Sequence, residues 1–164
     1  MYKKKPFFIV FEGVEGCGKS YQSQKLKKNL EKKGIKLVLT REPGGTRSAE
    51  SIRRLILKDY FNKGNKEKFD KYTDTLLYLA ARNEHIKNKI KPALKRKKVV
   101  ICDRFIDSTI VYQGVAGSVN EKLLLNLHKK FCYDLFPDVT FFLSLNPKVG
   151  LERTKFRNNS NEIR

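Results

Sequence analysis

Two hydrophobic periods alternate along the chain. Phe7-Phe8-Ile9-Val10-Phe11 is a continuous apolar run that ends against glycines, the pattern of a strand buried in a parallel sheet. From about Lys19 to Lys33 the period becomes helical, and Gly34 supplies the stop. Ile35 to Thr40 predicts a second strand, followed by a turn at Pro43-Gly44-Gly45 and a helix from about Ser48 to Tyr60. The polar stretch Asn62 to Lys68 reads as a surface loop. Asp70 to Lys91 predicts a long helix that Pro92 kinks or breaks. Val99-Val100-Ile101-Cys102 is a third buried strand, with helical segments at about Phe105–Gln113 and Glu121–Phe131. Val139 to Leu145 reads as a fourth strand, and Pro147 suits the first turn of a last helix. Strand and helix in alternation imply an α/β fold, a parallel sheet with helices on both faces. No repeat or linker divides the chain, so residues 1–164 read as a single domain.

Composition narrows this picture. At 40% hydrophobic residues the chain can build a core. No apolar run approaches the roughly 20 residues that span a bilayer. The basic start, Met1 to Lys5, is followed by an apolar stretch too short and too acidic at its end for a secretory leader. Cys17, Cys102 and Cys132 make neither a zinc spacing nor an even disulfide set, which points to a reducing, cytoplasmic setting. The formal net charge of +19 raises the question of a polyanionic partner. The lysines, such as Lys25, Lys27, Lys28, Lys32 and Lys33, are dispersed along helical segments and not gathered around aromatics. That is the pattern of a solvated helix face, so nucleic acid is not the expected partner.

The most specific chemistry lies at the first strand–helix junction. Gly13-Val14-Glu15-Gly16-Cys17-Gly18-Lys19-Ser20 fits G-x-x-x-x-G-K-[ST], between a buried strand and a helix. Glycines let backbone N–H groups approach phosphate oxygens without a Cβ in the way, and the helix N-terminus adds its positive dipole end. Lys19 can reach the β- and γ-phosphates, and the Ser20 hydroxyl can ligate Mg²⁺. Two more charged stretches follow strands: Thr40-Arg41-Glu42-Pro43-Gly44-Gly45-Thr46 and Cys102-Asp103-Arg104. Ligands of open parallel sheets bind beyond the carboxyl ends of the strands, so Glu15, Arg41, Glu42, Asp103 and Arg104 should converge there. Arg fits a phosphate through its planar fork, and neighbouring carboxylates can hold Mg²⁺, orient the Arg or accept from a sugar hydroxyl.

Five blocks in order, F-E-G-V-E-G-C-G-K-S (11–20), L-T-R-E-P-G-G-T (39–46), L-L-Y-L-A-A-R (76–82), C-D-R-F-I-D-S-T-I-V-Y-Q-G (102–114) and G-L-E-R-T-K-F-R (150–157), cover nearly the whole chain. Together they resemble thymidylate kinases, which phosphorylate dTMP to dTDP. The resemblance implies the three-layer P-loop nucleoside monophosphate kinase fold, ATP as donor with Mg²⁺, and a homodimer with no membrane association. It also implies roles. Glu15 would lie near the monophosphate sugar and the Arg of the D-R-x stretch. Arg104 and Arg53 would bind the dTMP phosphate, Asp103 would help organise the Mg²⁺ site, and Arg41, Glu42 and Pro43 would border the acceptor. Arg82 would donate to a thymine carbonyl and Tyr78 would stack on the base, a position commonly Phe. Thr109 and Gln113 would contact the base edge, and Tyr112 would guard the sugar 2′ position. Taken singly, Tyr78 and Arg82 also fit a core aromatic with a surface Arg, and Tyr112 and Gln113 a helix cap.

The implied reaction is phosphoryl transfer, governed by positioning and charge stabilisation. A further Arg must neutralise charge on the moving phosphoryl group. The P-loop interior contains none, so the bacterial pattern with Arg in a lid at about 150–164 is implied, with Arg153 and Arg157 as candidates. Family members continue with a further helix and a last strand, so the resemblance also implies a C-terminal truncation. The alternatives are another nucleotide kinase, an inactive truncated nucleotide-binding remnant, and a basic P-loop ATPase that binds nucleic acid.

Overall fold

A computed structural model describes residues 6–61 and 68–159. Four parallel strands, β1 (Phe8–Gly13), β2 (Leu37–Arg41), β3 (Val99–Asp103) and β4 (Val139–Leu143), form one sheet in the order β2-β3-β1-β4. β1 pairs with β3 in the register Phe8↔Val100 to Phe11↔Asp103, and β2 with β3 from Leu37↔Val99 to Arg41↔Asp103. The chain therefore leaves β1, passes over β3 to reach β2, and later returns to the far side of β1. This change of direction puts a crevice beyond the carboxyl ends of β1 and β3. The expected four strands and their parallel sense are present, with β4 two residues shorter than its apolar run suggests.

Helix α1 (Lys19–Lys32) follows β1 and packs on β1, β2 and β3. Helix α2 (Arg47–Phe61) follows β2 and packs on α3 (Lys71–His85), whose first turn is capped by the Asp70 side chain accepting from Tyr72 N–H at 2.8 Å. The expected loop at Asn62–Lys68 lies, apart from Lys68, outside the described residues. Helix α6 (Glu121–Phe131) starts at an Asn120 cap, with its expected bounds. Helix α7 (Pro147–Asn159) opens on Pro147 as its φ and missing N–H allow.

Pro92 does not break the helix. α3 passes into a π-helical segment, Ile86–Ile90, and then into α4 (Lys91–Lys95). Pro92 sits in the first turn of α4, where no N–H is required of it, so the helix continues through the proline. The segment expected at Phe105–Gln113 likewise begins as the short α5 (Ile106–Thr109) and turns π-helical over Ile110–Ala116. The second of these segments carries Tyr112, whose ring lies 5.5 Å from the Arg104 guanidinium at the carboxyl-end crevice, a setting where π-bulges are often found.

The main core joins Phe8, Val10, Val100 and Cys102 of the sheet to Leu79, Ile86, Ile90, Ala93, Phe105, Ile106 and Cys132. Phe105 is its hinge: its ring meets Phe8 edge-on at 4.9 Å and His128 edge-on at 5.7 Å, and the Arg82 guanidinium lies 5.0 Å from its centroid. Phe11 and Ile101 are buried at alternate register and so face the other side of the sheet. α1 contributes no side chain to the Phe105 cluster.

His128 is fully buried, with Nε2 donating to the Leu135 carbonyl at 2.8 Å and Nδ1 without a partner. Burial, aided by nearby Arg82, holds its pKa below the ordinary histidine value. A depressed histidine contributes stability that is present above the unfolded pKa and lost as pH falls. Urea midpoints should therefore drop as pH is lowered through about 6.5. His128→Gln, which keeps a donor for Leu135, should flatten that drop between roughly pH 7.5 and 5.5.

Candidate functional site

The loop between β1 and α1 is shaped by close approach. Gly13 has φ 142°, and a Cβ there would meet the Leu143 carbonyl oxygen at 2.6 Å. Gly16 has φ 72° and abuts the Gly150 carbonyl of α7, leaving no space for a side chain. Lys19 is buried, and its Nζ donates to the carbonyls of Gly13 at 2.9 Å and Val14 at 2.8 Å. The ammonium thus lies over the loop between β1 and α1.

β3 delivers the next groups. Ser20 Oγ donates to Asp103 Oδ2 at 2.7 Å, joining the start of α1 to the end of β3. Two hard oxygen donors side by side at a phosphate loop fit Mg²⁺, which takes one or two protein oxygens and fills its octahedron with phosphates and water. Among the described residues no cluster of three or more His, Cys, Asp or Glu forms a denser cage.

Arg104 stands in the left-handed region at φ 70°, an uncommon backbone state for a non-glycine residue. Its N–H bonds Phe11 O at 2.9 Å, and its carbonyl accepts from Cys102 Sγ at 3.1 Å. The guanidinium is turned onto the phosphate loop: Nη2 to Glu15 Oε1 at 2.5 Å, Nη1 to Gly13 O at 3.4 Å and to Ser108 Oγ at 3.1 Å. Burial opposes its charge, but Glu15 and then Tyr112 prevail and hold its pKa above the ordinary value. The half-exposed Tyr112 ring lies 5.5 Å from the guanidinium.

A carboxylate that sequence reading passed over holds this arrangement. Glu12, buried at the end of β1, accepts from Phe105 N–H at 2.7 Å, Ser108 N–H at 3.2 Å and Ser108 Oγ at 2.7 Å. It serves as the N-terminal cap of α5, which has no cap of its own. Burial raises its pKa, only partly offset by these bonds. The available signal was an acidic residue closing an otherwise apolar strand.

The β2 end supplies a third group. Glu42 N–H bonds Asp103 O at 2.9 Å, which fixes the loop against β3. The buried Glu42 carboxylate accepts from Arg82 Nε at 2.7 Å and from His85 Nδ1 at 3.0 Å. Burial raises its pKa, but Arg82 and His85 outweigh this and hold it below the ordinary range. Arg82 Nη2 also donates to Thr109 Oγ1 at 2.8 Å and Phe105 O at 3.1 Å, while Nη1 has no partner. Arg82 is only 2% exposed, so the surface-Arg alternative for that position does not hold. The buried Gln113 donates to Asp74 at 2.9 Å.

Nearby, Arg53 donates to Pro43 O at 3.0 Å, and burial together with Arg41 lowers its pKa. Arg41 turns outward to Glu50 at 3.3 Å, whose carboxylate also accepts from Gly45 N–H at 2.9 Å. Burial works against the Glu50 charge, yet that backbone bond and Arg41 keep its pKa low. On the other flank, Arg153 Nη1 of α7 bonds Gly16 O at 3.3 Å. Arg157 lies one turn further along α7, its side chain outside the described residues. Tyr78 is half-buried on α3, one turn before Arg82. Glu12, Ser108, His85, Thr40 and Glu50 are the groups that sequence reading missed. His85 carried a signal, being three residues from Arg82 on the same helix face.

Comparisons with known proteins point to one family. The thymidylate kinase family model matches residues 11–164. A thymidylate kinase of Protochlamydia amoebophila is 44% identical over 155 residues, covering 93% of this chain and 66% of that protein. One from Caldicellulosiruptor saccharolyticus is 43% identical, covering 95% of this chain and 73% of that protein, and one from Chlamydia muridarum is 47% identical, covering 89% and 70%. The chain thus spans about two thirds of the length of these relatives. The crystal structure of thymidylate kinase from Ehrlichia chaffeensis superposes with a TM-score of 0.77 at 38% identity, covering 96% of this chain and 88% of that one.

Breaking the buried pair by Glu42→Gln should destabilise the fold by about 3–5 kcal/mol, because Arg82 is left without its carboxylate. The double variant Glu42→Gln/Arg82→Met should lose clearly less than the sum of the single losses in urea unfolding.

Proposed function

This chain belongs to the thymidylate kinase family, and on that premise we propose that it transfers the γ-phosphoryl group of ATP to dTMP, forming ADP and dTDP. One observation carries the reading: Arg104 is bonded to the phosphate loop itself, at Gly13 O and Glu15. The residue suited to an acceptor phosphate and the loop suited to a donor phosphate therefore share one crevice.

The roles follow from position. The amides of residues 13–20 and Lys19 hold the donor phosphates. Their ligand takes the Lys19 ammonium in place of the Gly13 and Val14 carbonyls. Arg104, relieved by phosphate of part of its bond to Glu15, holds the acceptor in line, assisted by Arg53. Ser20 and Asp103 would hold Mg²⁺, which supplies charge neutralisation between the phosphates when bound. Arg153 approaches the loop from α7, opposite Arg104, and with Arg157 is the candidate for charge on the moving phosphoryl group.

For the base, Arg82 Nη1 is the donor that the protein leaves unused. It sits beside Thr109, with Tyr78 one turn away on α3 for stacking and Gln113 on the following segment. Arg41, Glu42 and Pro43 border the acceptor, and Tyr112 flanks Arg104 on the sugar side. A homodimer belongs to the same reading, supported by the exposed apolar side chains Leu55 of α2 and Tyr72 and Leu76 of α3. Among the described residues no helix is long and apolar enough to cross a membrane. The three cysteines are free thiols, which fits the reducing, cytoplasmic setting of this reading.

A coupled ADP-release assay with Mg-ATP, offering dTMP, dUMP, dCMP, dGMP and AMP in parallel, tests the reading. ADP release should depend on dTMP. Arg104→Ala and Lys19→Ala should each lower kcat/KM by about 10²–10³, as loss of a charge-stabilising donor does. Turnover of another monophosphate in preference to dTMP overturns the base assignment.

A further inference from the structure

Among the buried polar groups, a chain of side chains runs from the second strand to the third crossover. Thr40 Oγ1 lies 2.7 Å from His85 Nε2, His85 Nδ1 lies 3.0 Å from Glu42 Oε1, and Glu42 Oε2 accepts from Arg82 Nε at 2.7 Å. Arg82 Nη2 then reaches Thr109 Oγ1 at 2.8 Å. Every member is buried, and His85 is fully so. The direction of one link is set by chemistry. An ionised carboxylate only accepts, so His85 Nδ1 carries a hydrogen whatever the state of the other ring nitrogen.

We propose that His85 is a positioning residue for the monophosphate site, acting through Glu42 to set the angle at which Arg82 offers Nη1. The inference rests on the reading of Arg82 as the donor to the base. A guanidinium aims its five N–H groups as one rigid fork, so whatever fixes Nε and Nη2 fixes Nη1 too. Nε is fixed by one oxygen of Glu42, and the other oxygen of Glu42 has His85 as its side-chain donor. Without that donor the carboxylate can rotate, and Nη1 moves with it.

His85 also fills space. A Cβ on Gly45 would meet His85 Nε2 at 2.6 Å and Thr40 Oγ1 at 2.6 Å, so the turn after Glu42 rests directly on this pair. A purely packing role therefore needs separating from the positioning role. Side-chain geometry does this. The amide nitrogen of Asn can occupy the place of His Nδ1 and still donate to Glu42, though the side chain is smaller. Gln fills more of the ring volume, but its amide reaches the place of Nε2, near Thr40, and leaves Glu42 Oε1 without its donor. Positioning predicts that Asn is the better substitute, and packing predicts Gln.

The test is steady-state kinetics of His85→Asn, His85→Gln and Arg82→Lys, with dTMP and ATP varied separately. His85→Gln should raise KM for dTMP by roughly tenfold or more, as loss of a hydrogen bond to a charged group does. Its kcat and its KM for ATP should stay within about threefold of the parent, because the phosphate loop lies outside the chain of bonds. His85→Asn should keep KM for dTMP within about threefold. Asn impaired as much as Gln, or Gln without effect while Arg82→Lys raises KM for dTMP, overturns the proposal and leaves the base reading standing. Arg82→Lys without effect on that KM overturns the base reading, and the proposal with it. Should neither His85 variant fold, Thr40→Val, which frees the far side of the ring, should raise KM for dTMP a fewfold, roughly in line with one neutral hydrogen bond. An unchanged KM in that variant overturns the proposal.

Discussion

The buried carboxylate of Glu42 is the constraint on which the crevice depends. A charge taken out of water costs several kcal/mol unless its partners are fully in place. Here the partners come from one helix, Arg82 and His85 on α3, while the Glu42 N–H is held by β3 through Asp103 O. The cost of exposing or misplacing that charge therefore locks the β2 loop, α3 and the start of α5 into one arrangement. Arg82 extends the lock to Phe105 O and Thr109.

Glu12 applies the same logic on the other side of β3. Its carboxylate is spent on the Phe105 and Ser108 amides and the Ser108 hydroxyl, and Ser108 in turn receives Arg104. Two acidic side chains at strand ends thus each organise an Arg, one directly and one through a helix start. Phe105 lies between them, its backbone bonded to both systems and its ring at the centre of the core. Packing and polar geometry are accordingly coupled, and the strained φ of Arg104 is maintained by its surroundings.

The large positive charge takes no part in this. Of the described lysines, Lys19 alone is buried, whereas those of α1 such as Lys25 and Lys32 lie on its exposed face, and Lys27 makes a surface pair with Glu31 at 3.8 Å. Dispersed surface charge of this kind acts on solubility and encounter more than on fold.

Strand and helix order, the parallel sheet and the phosphate loop were legible from the chain alone, because period, glycine placement and the G-x-x-x-x-G-K-S spacing are local properties. Of the five groups that the rule for parallel strand ends brings together, Glu15 meets Arg104 and Glu42 meets Asp103, whereas Arg41 turns outward to Glu50. What the linear pattern did not contain was pairing across long separations: Glu12 with Ser108, Glu42 with Arg82 and His85, Thr40 with His85. Nor did it contain the two π-helical segments, since a wide turn is stabilised by what its neighbours pack against and not by the residues in it. Local periodicity determined which elements this protein has; only the tertiary fold decided which buried charges meet, because burial cost is set by the partners that the fold brings within 3 Å.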